Sequence, residues 1–220
     1  QLLKLPQGKS CYILDIGCGS CLSSQQISRQ GHIWMGCDIS RDMLCLGLNK
    51  SKRSGADLFE SDIGYGVPTR PGVFDGAISI SAVQWLCVKQ NRYQNPQKRL
   101  IRFFRTLRKC LAFDARAVLQ VYPEDTKQMD ALLNSARTSG FQGGLVVDYP
   151  KSMRAKKFYL CLWKPETYKK KPTKRDEKDF AAFGGAAADD DSVDYNDDNE
   201  CDAEKNNSKK KSKKRRKNNE

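Results

Sequence analysis

Histidine is almost missing from this sequence, which has one, His32, among 220 residues but nine cysteines. A structural zinc site needs four ligands in a tetrahedral arrangement. Cys18 and Cys21 form a C-x-x-C pair, but no second pair follows, so the sequence predicts no metal site. We expect these two thiols to line a loop. Most other cysteines lie in or beside apolar runs, where a reduced cysteine behaves as a small hydrophobic residue: Cys11, Cys37, Cys87 and Cys161.

The sequence also lacks an apolar run long enough to cross a membrane and a recognisable secretory leader. These absences predict an intracellular, soluble protein. The chain starts with Gln1 rather than methionine, and only about ten residues precede the first apolar strand. We therefore expect the sequence to be N-terminally incomplete.

Acidic residues are scarce in the first part of the chain. Residues 1–163 hold 12 aspartates and glutamates against 23 lysines and arginines, and nearly all the aliphatic and aromatic residues. This range is predicted to fold as one cationic domain, which favours a polyanionic partner such as nucleic acid. Residues 164–220 lack apolar periodicity and are expected to form a largely disordered tail. The basic run at 209–217 is typical of a nuclear address or of a nucleic-acid tether, and the sequence does not separate the two.

The segment 12–19 reads Tyr-Ile-Leu-Asp-Ile-Gly-Cys-Gly, an apolar strand that runs into a glycine-rich turn. α/β proteins place a nucleotide-like cofactor at such a turn. Gly17 and Gly19 allow the backbone to approach a ligand where a Cβ would block it. Asp38 stands 21 positions after Gly17, at the end of a second apolar strand, and its carboxylate suits the two hydroxyls of a ribose.

Two cofactor classes compete for this loop. A dinucleotide-binding loop requires G-x-G-x-x-G, but Leu22 occupies the position of the third glycine. The loop of methyltransferases reads D-x-G-x-G, and Asp15 supplies the acid. The pattern therefore favours S-adenosylmethionine over NAD. We expect Asp15 both to contact the cofactor and to stabilise the turn.

Strands and helices alternate along the chain. Hydrophobic patterns predict strands at 12–15, 32–38, 57–62, 74–80, 115–122, 144–148 and 156–163. Helices are expected at 21–29, 41–50, 83–86, 97–111 and 125–139. This alternation predicts a mostly parallel sheet with helices on both faces, and the two final strands in succession predict an antiparallel hairpin.

The residues after strand 74–80 are predicted to lie at the reaction centre, because substrates of open α/β sheets meet the cofactor beyond the strand ends. No histidine, lysine or glutamate stands between Ser79 and Leu86, and the N-P-P-Y or D-P-P-Y motif of amino-methylating enzymes is missing. These absences favour a nucleophile with a free lone pair, such as guanine N7, for which alignment supplies most of the rate. Trp85 is either a core residue or a ring that stacks a base.

Two further features have open alternatives. Asp62 could accept from the adenine amine with Ile63 packed on the ring, or it could be a solvated loop acid. In helix 97–111 an apolar stripe (Leu100, Phe104, Leu107 and Leu111) stands opposite a basic stripe (Lys98, Arg102, Arg105 and Lys109). The basic stripe, with Lys156 and Lys157, is either a solvated face or a surface that follows an RNA backbone.

Three segments resemble the eukaryotic 18S rRNA (guanine-N7)-methyltransferases of ribosome biogenesis: 14–20, 36–40 and especially 74–86. The likeness extends through 143–150, 155–160 and the lysine-rich tail, and covers about residues 1–175. One departure is Cys21, which replaces the glycine usual at the end of the loop, and another is the absence of the family's N-terminal helices.

The resemblance implies a Rossmann-like class I methyltransferase with seven strands in the order 3-2-1-4-5-7-6. It implies methylation of a guanine N7 in 18S rRNA, in the nucleolus and nucleoplasm, with the cytoplasm as a further location. Substrate positioning is assigned to Ser81, Gln84 and Trp85. Cofactor binding is assigned to Asp15, Gly17, Cys18, Gly19, Asp38, Ile39, Asp62, Ile63 and Ser79.

The resemblance also implies a partner, a small zinc-binding activator protein shared by several methyltransferases. In this strand order the third strand is an edge, which invites strand addition. We expect the activator to pair with Asp57, Leu58, Phe59 and Glu60. A second class of function stays open, a non-catalytic assembly factor that keeps the fold but acts by occupying pre-ribosomal RNA.

Overall fold

The structure, a computed structural model, describes residues 2–152 and 156–165. Its strands are β1 Tyr12–Ile16, β2 Ile33–Asp38, β3 Asp57–Glu60, β4 Phe74–Ile80, β5 Leu111–Val121, β6 Gln142–Asp148 and β7 Lys157–Trp163. Its α-helices are α1 Leu22–Arg29, α2 Arg41–Ser54, α3 Pro96–Cys110 and α4 Thr126–Thr138. Two short 3-10 helices, Ile63–Tyr65 and Val83–Cys87, follow β3 and β4. The predicted tail, 164–220, lies almost wholly outside the described residues.

The seven strands form one sheet in the order β3-β2-β1-β4-β5-β7-β6. The pairs from β3 to β5 are parallel, and β7 is antiparallel to both β5 and β6. The predicted fold class, strand order and final hairpin are confirmed. Because parallel strands end at the same edge of a sheet, the carboxyl ends of β2, β1 and β4 meet there.

The sheet separates two apolar layers, as alternation along β1 requires. Leu14 and Ile16 belong to the larger cluster, which takes in the buried faces of α3 and α4. Ile13 belongs to the smaller one, with Ile27 of α1 and Leu44 of α2. Helices therefore cover both faces, and the rigid sheet between them positions the loops at its carboxyl edge.

Four element boundaries differ from the sequence prediction by two residues or more. Helix α2 ends at Ser54 rather than at 50. Strand β3 ends at Glu60 rather than at 62, because the Asp62 carboxylate accepts from Gly64 N at 2.8 Å and caps a 3-10 helix. Strand β5 begins at Leu111 rather than at 115, since Leu111 pairs with Phe74 directly after helix α3 ends. Leu111 thus belongs to a strand and not to the apolar stripe of the helix. Strand β6 begins at 142 rather than at 144.

Strands β3 and β6 are the edges of the sheet, which confirms the predicted edge position of β3. In the part of the chain that the structure describes, no helix is long and apolar enough to span a membrane.

Candidate functional site

A cavity of about 430 Å³ opens at the carboxyl ends of β2, β3 and β4. Its walls come from the segments that follow these strands, together with one residue of the glycine-rich turn and one of helix α3. The lining residues are Gly17, Asp38, Ile39, Ser61, Asp62, Ile63, Ile80, Ser81, Ala82, Trp85, Leu86, Gln90 and Arg99.

Two backbone hydrogen bonds join the glycine-rich turn to the end of β2. Gly17 N and Cys18 N both donate to Cys37 O, at 2.8 and 3.0 Å. Gly17 has a φ of +68°, and a Cβ placed on it would lie 2.2 Å from the Cβ of Ala82. Only glycine permits this approach, which brings the turn after β1 against the segment after β4.

Asp38 shapes the turn and also faces the cavity. Its Oδ2 accepts from Gly19 N at 2.8 Å, and its Oδ1 accepts from Ser40 N at 2.9 Å. A carboxylate has about four acceptor sites, so two remain beyond these contacts. Asp38 therefore lines the cavity with acceptor sites left, and two backbone amides hold its carboxylate; its ribose contact stays a prediction.

Asp15 lies beneath the turn rather than in the cavity wall. It is fully buried, and its Oδ2 accepts from the hydroxyls of Ser23 and Ser24. Burial raises the pKa of this carboxyl, and the two serine hydrogen bonds oppose that shift. Its Oδ1 is also buried, and it has no hydrogen-bond partner among the described residues.

Five of the nine expected cofactor residues line the cavity: Gly17, Asp38, Ile39, Asp62 and Ile63. Asp15, Cys18, Gly19 and Ser79 stand outside its lining. Ser79 is fully buried and donates its hydroxyl to Ile16 O at 2.8 Å, which ties β4 to β1. The hydroxyl of Ser79 therefore makes a contact within the sheet, and the residue does not line the cavity.

The C-x-x-C thiols are packed under the turn. Cys18 is 6% exposed and Cys21 is fully buried, and burial raises the pKa of both thiols. Burial also raises the pKa of Cys37, to about 12. These thiols are therefore protonated at neutral pH. Within residues 2–152 and 156–165, no three metal-binding side chains cluster to form a metal site.

The segment after β4 supplies the opposite wall of the cavity. Ser81 adopts a φ of +58°, unusual for a residue with a side chain, and its amide donates to Gln120 O at 3.0 Å. Trp85 is 62% exposed and lines the cavity, so it is not a core residue. The side-chain amide of Gln84 donates to Ser81 O at 2.9 Å and so stabilises this loop. Ser81 and Trp85 are thus brought to the cavity, and Gln84 is not.

Arg99 is the main cavity residue that the sequence analysis missed. Its Nη2 donates to both oxygens of Asp62, at 2.7 and 2.8 Å, and the residue is only 8% exposed. Asp62 is therefore an ion-paired acid rather than a solvated one. The sequence did contain a signal for the burial of Arg99: it stands four residues before Phe103, on the buried side of α3.

All four residues of the basic stripe on α3 are exposed, which fits either alternative: Lys98, Arg102, Arg105 and Lys109. Leu100, Phe104 and Leu107 are buried on the other side of the helix. Lys156 and Lys157 are half-buried, and the Lys156 ammonium lies 5.2 Å from the centre of the Phe158 ring. Since Phe158 pairs with Val121, these two lysines stand at the carboxyl end of β5, the edge that holds the cavity.

A family model described as a methyltransferase domain matches residues 14–110. The 18S rRNA (guanine-N7)-methyltransferase of Mus musculus is 52% identical over 163 residues, which are 74% of this chain and 57% of that protein. That of Arabidopsis thaliana is 48% identical over 163 residues, 74% of this chain and 56% of that protein. The chain thus spans little more than half the length of the curated relatives it matches.

Solved structures with the same fold are far more distant in sequence. An S-adenosylmethionine-dependent methyltransferase from Mesorhizobium loti has a TM-score of 0.55 at 16% identity and covers 72% of this chain and 93% of its own. A Haemonchus contortus phosphoethanolamine N-methyltransferase, solved in complex with S-adenosyl-L-methionine, has a TM-score of 0.56 at 14% identity, with 73% and 50% coverage. The chain therefore carries a methyltransferase domain with the Rossmann-like class I fold, and in sequence it is similar to the 18S rRNA (guanine-N7)-methyltransferases.

Proposed function

We propose that this chain is the core of an S-adenosylmethionine-dependent methyltransferase that modifies N7 of a guanine in small-subunit rRNA. The observation that carries the proposal is the cavity at the carboxyl edge of the sheet, which Gly17, Asp38 and the exposed Trp85 line together. In this proposal the cofactor and a base stacked on Trp85 share one opening.

The residues of the cavity fit the proposed cofactor. Asp38 has acceptor sites left for ribose hydroxyls, and Asp62 with Ile63 offers an acceptor and an apolar surface to a purine. Gly17 lines the same cavity and has no side chain there. When bound, S-adenosylmethionine supplies a methyl group activated by a positively charged sulfur.

Guanine N7 suits this site because it needs no general base. Among the described residues, the cavity lining contains no histidine, lysine or glutamate, and both of its aspartates already accept hydrogen bonds from the protein. The lone pair of N7 is unprotonated at neutral pH, so alignment alone can supply most of the rate. Trp85 provides an exposed ring on which the target base can stack.

The basic surface supports an RNA substrate. Four exposed cations follow one face of α3, and Lys156 and Lys157 stand at the same sheet edge as the cavity. Cations spaced along a surface neutralise successive phosphates and release counterions. We therefore assign the backbone contacts to this set: Lys98, Arg102, Arg105, Lys109, Lys156 and Lys157.

The partner is proposed to be a small zinc-binding activator that adds a strand to β3. Among the described residues β3 pairs with β2 alone, through Asp57 to Glu60, and so forms an edge of the sheet. Leu58 and Phe59 are half-buried, and a second strand there would cover them. A nuclear location, in the nucleolus and nucleoplasm, follows from the proposed substrate.

Mapping N7-methylguanosine tests the proposal directly. Full-length protein with its partner is added to small-subunit precursor particles with S-adenosylmethionine, beside an Asp38→Ala variant. We expect one new N7-methylguanosine with the native protein. The variant should bind cofactor about 1–3 kcal/mol more weakly, because the ribose and the turn both lose a charged acceptor. Particles that mature with the native protein and acquire no methyl group would favour the non-catalytic assembly factor instead.

A further inference from the structure

Arg99 is a buried cation that joins helix α3 to the cavity wall. It is 8% exposed, although Lys98 and Arg102 on the same helix are exposed. Besides the two hydrogen bonds from Nη2 to Asp62, its Nη1 donates to Gln94 Oε1 at 3.1 Å. A charge withdrawn from water is tolerated only when a partner compensates for the lost solvation. Asp62 and Arg99 therefore fix each other's orientation.

Gly64 provides the space for this guanidinium. A Cβ on Gly64 would lie 2.1 Å from Arg99 Nε and 2.4 Å from Nη2. The amide of the same glycine donates to Asp62 Oδ1 at 2.8 Å. The carboxylate is thus held from two sides, by a backbone amide and by a guanidinium, on a short turn that ends against α3.

The hydrogen bonds leave one part of the carboxylate available. Oδ1 accepts from Gly64 N and Arg99 Nη2, and Oδ2 accepts only from Arg99 Nη2. Each carboxylate oxygen can accept about two hydrogen bonds, so one acceptor direction remains on Oδ2. The Asp62 side chain is 18% exposed and lines the cavity, where a donor on a ligand can reach it.

We propose that Arg99 is a positioning residue for base selection. Arg99 holds the Asp62 carboxylate in one orientation, and the remaining acceptor of Oδ2 then selects a 6-amino purine over a 6-oxo purine. Adenine presents an N–H donor at this position, whereas hypoxanthine presents a carbonyl oxygen that would face a carboxylate oxygen. Arg99 acts through Asp62 and does not need to touch the ligand. This inference rests on the proposed function, because it takes the cavity to be the cofactor site.

The test compares two nucleosides, S-adenosylhomocysteine and S-inosylhomocysteine. Their purines differ at C6, which bears an amino group in the first and a carbonyl in the second, and at N1, which bears a hydrogen only in the second. Their dissociation constants are measured by calorimetry on the full-length protein with its partner. We expect the native protein to prefer the adenosyl compound by roughly tenfold to a hundredfold, the range for one hydrogen bond to a charged group. Arg99→Met should weaken the binding of the adenosyl compound alone, so that the preference is lost.

Two further variants show whether Arg99 acts through Asp62. Asp62→Ala should abolish the preference as well, and the double variant should lose nothing more, since both changes remove the same contact. Arg99→Lys keeps the charge but cannot bridge Asp62 and Gln94 together, and should give an intermediate preference. Arg137→Met, on the exposed side of α4, is the matched control and should keep the native preference. If Arg99→Met does not fold, Gly64→Ala displaces the guanidinium without deleting it.

The outcomes separate this proposal from the proposed function. If Arg99→Met weakens both nucleosides equally, or keeps the native preference while its melting temperature falls, Arg99 only ties α3 to β3 and the proposal is overturned. A native protein that binds both nucleosides equally also overturns it and leaves the proposed function standing. A native protein that binds neither nucleoside overturns both.

Discussion

The contact between Gly17 and Ala82 allows a quantitative test of how the cavity is assembled. Gly17→Ala would place a Cβ 2.2 Å from the Ala82 Cβ, at a backbone φ of +68°. The left-handed backbone costs a residue with a side chain about 1–2 kcal/mol. Overpacking one methyl group in a buried contact adds about 1–3 kcal/mol. We therefore expect Gly17→Ala to lower the free energy of unfolding by about 2–5 kcal/mol.

A second substitution separates the two costs. Ala82→Gly alone should cost about 0.5–1 kcal/mol, because glycine loses more conformational freedom on folding. In the double variant the clash disappears, and only the backbone terms remain. The double variant should therefore be more stable than Gly17→Ala, with a coupling energy of about 1–3 kcal/mol between the two positions. Gly55→Ala is the matched control, since it has a similar φ of +66° but no atom within 4 Å of the added Cβ.

Urea unfolding followed by tryptophan fluorescence measures these differences, because Trp34 is 1% exposed and reports on the core. Gly55→Ala should show the backbone cost alone, about 1–2 kcal/mol. If the double variant is no more stable than Gly17→Ala, or if Gly17→Ala costs no more than Gly55→Ala, the reasoning fails. The turn after β1 would then not pack against the segment after β4 in the folded protein.

Three other predictions concern RNA, the partner and the chemistry. Changing Lys98, Arg102 and Arg105 to glutamate should weaken RNA binding and flatten the slope of log affinity against log salt, because each phosphate contact contributes about 0.7–0.9 to it. Filter binding at several salt concentrations measures this slope, and an unchanged slope would favour a solvated face. Proline at Leu58 or Phe59 should break the complex with the activator, because it removes a backbone donor from the edge strand. A soluble stoichiometric complex after co-expression of either variant would contradict pairing at β3. The single-turnover methylation rate should show no limb from a catalytic base across about pH 6–9, and a limb that one point mutation removes would refute N7 as the nucleophile.

The sheet could be predicted from the sequence. Local hydrophobic patterns indicated the strands, and the family resemblance implied their order. Apolar runs separated by helical periodicity gave seven strands and the final hairpin, and the structure confirms both. What the pattern missed are contacts between side chains distant in sequence. Arg99 stands in a basic run, and the carboxylate of Asp62, 37 residues earlier, compensates the charge that its burial withdraws from water. The same carboxylate ends β3 two residues early by capping the next turn, which strand propensity does not encode.

The departure at Cys21 shows how the turn keeps its shape with a different residue. Cys21 has φ and ψ of 62° and 36°, the left-handed conformation that the usual glycine would adopt without cost. A cysteine there is strained by about 1–2 kcal/mol. The space around its thiol explains why it is tolerated: a Cβ on Gly47 of α2 would lie 2.5 Å from Cys21 Sγ, so the helix leaves room for the sulfur. Full burial of the side chain against α2 supplies apolar contact in return. The backbone path that the cofactor loop requires is thus preserved, and the glycine that makes it possible stands on the neighbouring helix.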